Sequence, residues 1–210
     1  MKKIYLKELE KELRKCGIGT NCDEINLTPV IIAHHNHNWD HGYERWNGIN
    51  VYENGSYDNG QGYKGTRREF YLDFFDVIKF LMEYINYNEI NELIIAPFYR
   101  YYQFSFNNKY KDNDIYSEIY SFLRYHNIRR GEHSGVKLLI ENNQSIIEMI
   151  TEGAFRGISE LCIFFPSQKV LLAPNHHFGL AFFTQNIELE KKCINKLIKK
   201  HHNIRIFINR

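Results

Sequence analysis

The stretch Leu161 to Thr184, LCIFFPSQKVLLAPNHHFGLAFFT, constrains the fold of this chain more than any other. It packs three apolar runs between two short breaks. Ile163, Phe164, Phe165, Val170, Leu171, Leu172, Leu180, Phe182 and Phe183 are bulky or β-branched and fall in runs of strand length, bounded by Pro166, Ser167, Pro174, Asn175 and Gly179. Three consecutive strands are expected there, forming the centre of a sheet.

Several other segments add to this nucleus. Leu6, Leu9 and Leu13 place one apolar stripe on a short helix over residues 5–16, ended by Gly17 and Gly19. Val30 to Ala33 is a continuous apolar run after Thr28-Pro29 and reads as a buried strand. From Gly42 to Thr66, Asn54-Gly55 and Asn59-Gly60 favour tight turns and predict a hairpin or a partly ordered loop. Phe74, Val77, Ile78, Leu81, Met82 and Ile85 recur at helical spacing, making Phe70 to Tyr87 the longest helix.

Leu93 to Ala96 is a strand stopping at Pro97, with Tyr99 to Phe106 as its expected hairpin partner. Asp114 begins a helix with Ile115, Ile119, Phe122 and Leu123 on one face, and Gly135 to Ile140 is a further strand. Asn143 to Phe155 is a helix ended near Gly153 or Gly157. Glu188 to Lys200 is the last helix, with Leu189, Cys193, Ile194, Leu197 and Ile198 inward, before a closing strand of Ile204, Ile206 and Ile208. Several strand connections are too short for parallel crossovers. The expectation is one α+β domain over residues 1–210, with a mixed or mostly antiparallel sheet packed with about five helices.

Composition narrows the function classes. A formal net charge of +2, from 27 basic and 25 acidic residues, is too balanced to make polyanion binding the main task, so nucleic acid is not indicated. The cysteines Cys16, Cys22, Cys162 and Cys193 form no CxxC pair and no disulfide framework, which fits reduced thiols. Charges interrupt every apolar position of the first segment, and no apolar run reaches membrane-spanning length. A cytoplasmic protein with no membrane partner is expected. The chain has 15 Tyr and 15 Phe, which follow from AT-rich coding or from a recognition surface rich in rigid aromatic side chains.

Ionisable clusters offer few catalytic sets. His35, His37, Asp40 and His41 follow the Val30 to Ala33 strand, and imidazoles two apart with a nearby carboxylate are a metal-ligand pattern. The run HNHNWDH resembles the HxHxDH signature of metallo-β-lactamase-fold hydrolases. It carries one extra residue between the second His and the Asp, and too little chain precedes it for that family's strands. Polar side chains closing a strand are the preferred reading, and a metal-dependent hydrolase or nuclease using His35, His37, Asp40 and His41 is the alternative. No catalytic residue, cofactor site or cofactor is assigned.

Other features are weaker still. His176 and His177 lie in a strand connection without a partner carboxylate, and Glu132-His133-Ser134-Gly135 lacks the strained elbow of a serine nucleophile. Gly60, Gly62 and Gly65 lack the Lys-Ser/Thr of a phosphate loop. The basic end, Lys191, Lys192, Lys196, Lys199, Lys200, Arg205 and Arg210, reads as a solvated helix face.

Two passages, Trp46 to Ser56 with its Asn-Gly turn and the hairpin from Phe164-Phe165-Pro166 to His176-His177-Phe178, resemble bacterial immunity proteins of polymorphic or contact-dependent growth-inhibition toxins. The resemblance implies a stoichiometric inhibitor of a cognate toxin, without catalysis. Asp40, Glu44 or Asp58 would then be candidates to meet a basic nuclease site.

Overall fold

A computed structural model describes residues 2–15, 17, 27–34, 50–51, 56–58, 64–97, 113–129, 132, 134–175 and 178–207. Eight strands form one antiparallel sheet: β1 (Lys2–Tyr5), β2 (Val30–His34), β6 (Glu92–Pro97), β7 (Ser134–Leu139), β8 (Leu161–Phe165), β9 (Val170–Asn175), β10 (Gly179–Phe183) and β11 (Ile204–Phe207). Their order is β1-β7-β6-β8-β9-β10-β2-β11. A second sheet joins β3 (Asn50–Val51), β4 (Ser56–Asp58) and β5 (Lys64–Thr66), also antiparallel. The helices are α1 (Leu6–Arg14), α2 (Arg67–Tyr87), α3 (Asp114–Tyr125), α4 (Gln144–Phe155) and α5 (Ile187–Ile198). The α+β class and the antiparallel sheet agree with the sequence reading.

The period-2 geometry of strands divides the core in two. Ile32, Leu93, Ile95, Val136, Leu138, Ile163, Phe165, Leu172, Leu180 and Phe182 point to one face, where α2, α3, α4 and α5 cover them. Ile31, Ile94, Ala96, Cys162, Phe164, Leu171, Ala173 and Ala181 belong to the opposite face, which Leu9 and Leu13 of α1 help to cover. Because β8 is buried at every position, its sequence is continuously apolar rather than alternating. On the helical face, α2 inserts Phe70, Phe74, Val77, Ile78, Phe80, Leu81, Tyr84 and Ile85. Phe70 meets Phe178 edge-on at 5.2 Å between ring centres, and Tyr84 meets Phe182 at 5.1 Å. This helix therefore packs on the 161–184 strands.

Three helices stop in the same way. After α2, α3 and α4, the residues Glu89, Asn127 and Gly157 take positive φ of 50°, 55° and 65°. The next residue is an isoleucine each time, and its amide bonds back five residues: Ile90 to Ile85, Ile128 to Leu123 and Ile158 to Gly153, at 3.0, 2.9 and 2.8 Å. This is the Schellman termination with its buried apolar residue. Gly153 lies inside α4 instead of ending it. A Cβ there would sit 2.5 Å from Ile119 Cδ1, so the glycine lets α3 approach α4. At the other end of α3, the Asn113 side chain accepts the amide hydrogens of Ile115 and Tyr116.

Some expectations change. Lys2–Tyr5 forms an edge strand on β7 that the charged sequence hides. The expected pairing of Leu93–Ala96 with Tyr99–Phe106 is replaced, because the neighbours of β6 are β7 and β8, and 99–106 lie outside the described residues. Pro174 does not bound β9 but lies within it opposite Leu180, beyond the last residue that β9 pairs with β8. Leu189 is 68% exposed, not inward, because the inward face of α5 is set by Glu190, Ile194 and Leu197. Asn54-Gly55 and Asn59-Gly60 fall between paired strands but outside the described residues, as does Ile208.

Ile78→Ala or Leu81→Ala should cost about 2–5 kcal/mol through the cavity left behind, read from the urea midpoint. Glu89→Gly should act in the opposite sense, raising stability by about 0.5–1 kcal/mol by relieving the left-handed conformation. A loss of stability in Glu89→Gly would contradict this account of the α2 terminus.

Candidate functional site

The described ionisable residues concentrate where α2 crosses the β2–β11 edge. The register pairs Ile204 with His34, so the end of β2 and the connection from α5 into β11 meet at one place. His34 is buried, and its Nε2 lies 3.2 Å from Asp76 Oδ2 while its Nδ1 lies 3.6 Å from Asp73 Oδ1. Asp76 Oδ2 also accepts a hydrogen bond from Asn203 Nδ2 at 2.6 Å. Two turns along α2, Glu83 meets Lys200 Nζ and His201 Nε2, each at 2.7 Å. These two donors hold the Glu83 carboxyl below its ordinary pKa. His201 also packs edge-on against Phe80 at 5.5 Å.

Helical spacing explains why α2 can make both contacts. Asp73, Asp76, Phe80 and Glu83 are three or four apart, so carboxylates border the same side as the buried Phe80. Between them opens a cleft of ≈ 240 Å³ lined by Asp76, Lys79, Lys200, His201, His202, Asn203 and Ile204. Beside it, Leu72 and Phe75 extend the outward stripe of α2 at 57% and 55% exposure, and the Phe75 ring stacks on Tyr71 at 5.9 Å.

A second cluster ties helices together beneath the surface. Glu152 Oε1 accepts from Tyr71 Oη at 2.8 Å and Arg156 Nη1 at 2.9 Å, and Arg156 also reaches Asp114 at 3.3 Å. Burial raises the Glu152 pKa against the pull of Tyr71 and Arg156. Between α2 and α5, Glu190 is buried beside the Tyr84 hydroxyl with its Oε1 unpartnered, and burial raises the pKa of both groups. Cys193 follows on the same side of α5, its thiol also pushed up by burial and so poorly nucleophilic.

Of the residues singled out by sequence, His35, His37, Asp40 and His41 lie outside the described residues, as do His133, His176, His177, Glu44 and Arg210. Among the described residues no group of three or more His, Cys, Asp or Glu is placed to hold a metal ion. Ser134 is buried in β7 at 0% exposure, which removes it from substrate. Three residues of the basic end are locally engaged: Lys191 pairs with Glu188 at 3.1 Å, Lys196 bonds Tyr87 at 2.9 Å, and Lys200 bonds Glu83. Among the described residues no helix is long and apolar enough to cross a membrane. Sequence reasoning missed Asp73, Asp76, Glu83 and Asn203; the one available signal was that carboxylates interrupt the apolar pattern of α2. Comparison with protein-family models, curated proteins and solved structures finds no match.

The pH dependence of stability tests the environment of Glu190. A carboxyl with a raised folded-state pKa holds its proton more tightly in the fold, so stability falls as pH rises from the unfolded range, about 4.3, through that raised value. Glu190→Gln removes this loss. Its stability advantage over wild type should grow across that window and then level off in urea titrations, whereas parallel curves would contradict the buried carboxyl.

Proposed function

We propose that this protein is an immunity protein, acting in the cytoplasm, that neutralises a cognate toxin domain by tight binding without catalysis. The outward stripe of α2 forms part of the contact face. One observation carries the reading: α2 buries one side in the core yet exposes Leu72 and Phe75 together on the other, against the cleft at Lys79 and Asn203. Large adjacent apolar side chains rimmed by polar groups have the makeup of an interface centre. Exposed Tyr120 and Tyr125 on α3 offer a separate aromatic surface. Four of the described ionisable groups serve this reading as structural ties. His34, Glu83, Glu152 and Arg156 spend their contacts on joining α2 to β2, α5 and α4.

The test is coexpression with a toxin domain encoded beside this chain. Cells should be protected, and the two proteins should copurify at nanomolar affinity or better, about 12 kcal/mol. Joint replacement of Leu72 and Phe75 by Ala should weaken binding by about 2 kcal/mol or more without lowering the denaturation midpoint. Failure to protect, together with turnover of a phosphoester or amide by protein carrying an equivalent of Zn, Mn or Fe that His35→Ala/His37→Ala removes, would replace this reading by the metal-dependent hydrolase.

A further inference from the structure

We propose that the cleft between α2 and the α5–β11 connection seats an acidic side chain of the protein partner, an inference that rests on the partner-binding reading of α2. The side chains lining the cleft carry more free donors than free carboxylate acceptors. The cleft's one carboxylate, Asp76, already accepts from Asn203 and faces the His34 ring through the same Oδ2. Glu83 behind it is engaged by Lys200 and His201. The donors are in surplus. Neither Lys79 nor His202 has a hydrogen-bond or ion-pair partner among the described residues, and both line the cleft.

The position of this surplus matters as much as its sign. Leu72, Phe75, Asp76 and Lys79 are spaced i, i+3, i+4 and i+7, so they form one continuous stripe on α2. A partner surface lying on Leu72 and Phe75 reaches Lys79 within the next turn. An apolar residue followed by Asp or Glu matches that order: the apolar group covers the Phe75 ring, and the carboxylate accepts from Lys79 Nζ and the His202 ring. Such charge-assisted bonds would fix the orientation of the partner more than they add affinity. A cationic group is disfavoured because it would meet Lys79 and Lys200, with Glu83 engaged and only Oδ1 of the Asp76 carboxylate left to accept from it among the described residues.

Glutarate serves as a carboxylate probe in an NMR titration of the isotope-labelled full chain, with propylammonium as the cationic control. Saturable shifts at Lys79, His202 and Asn203 with glutarate are expected. In Lys79→Ala, whose exposed position leaves the core intact, glutarate affinity should fall by at least about tenfold. No saturable response, an unchanged response in both Lys79→Ala and His202→Ala, or saturation by propylammonium would overturn the proposal. Tighter saturation of the same signals by a short oligonucleotide would assign the cleft to nucleic-acid phosphate instead and equally overturn it. Loss of the glutarate response with toxin protection intact removes the carboxylate seat alone. An intact response in unprotected cells removes the partner.

Discussion

Burial of the β8–β9–β10 ladder on both faces is the constraint on which the rest of the molecule depends. A strand with apolar layers above and below has no water for its backbone groups, so every peptide must find its partner in a neighbouring strand. Antiparallel pairing through short connections meets that demand: Ile163 faces Leu172, and Leu172 faces Phe182. Alternation then sends Ile163, Leu172 and Phe182 toward the four helices and Phe164, Leu171 and Ala181 toward the other face. The helical side carries eight of the buried aromatics among the described residues, and α2 supplies four of them, Phe70, Phe74, Phe80 and Tyr84.

The proposed binding role of α2 rests on its position across the sheet edge. Its buried side is apolar, its border carries Asp73, Asp76 and Glu83, and its outer side carries Leu72, Phe75 and Lys79. The border carboxylates hold His34 of β2 and His201 of the α5–β11 connection against the helix. Those contacts brace the walls of the cleft, so a partner would meet a preformed surface with little ordering cost. The sub-surface Glu152–Arg156 pair braces the other half of the helical layer, and at 5% side-chain exposure Arg156 is far more use as a structural tie than as a ligand group.

Legibility in the sequence followed burial. Elements with apolar runs or a clean helical stripe, such as β8, β9, β10 and α2, are readable because their side chains meet one environment along their length. Lys2–Tyr5 is not, since an edge strand needs only Ile4 inward, leaving Lys2 exposed while the half-buried Lys3 ties to Glu132 and the Asn127 carbonyl. Leu189 misled because a leucine at helical spacing is apolar whichever way it faces, while the inward place went to Glu190. The cleft was hidden for a different reason. His34, Asp76 and Asn203 are separated by most of the chain and meet only through the β2–β11 register, which no local pattern records. Gly153 is similar, a helix breaker by composition but a packing device once Ile119 is beside it.

The central claim is that the outer stripe of α2 is the surface a protein partner covers. Hydroxyl-radical footprinting of the chain, alone and with the proposed toxin partner, tests this most directly. Oxidation of Leu72 and Phe75 should fall sharply in the complex, while Tyr125 on α3 and Leu189 on α5, exposed on other helices, should stay reactive. Undiminished oxidation of Leu72 and Phe75, with protection at Tyr120 and Tyr125 instead, would contradict the account and move the interface to α3.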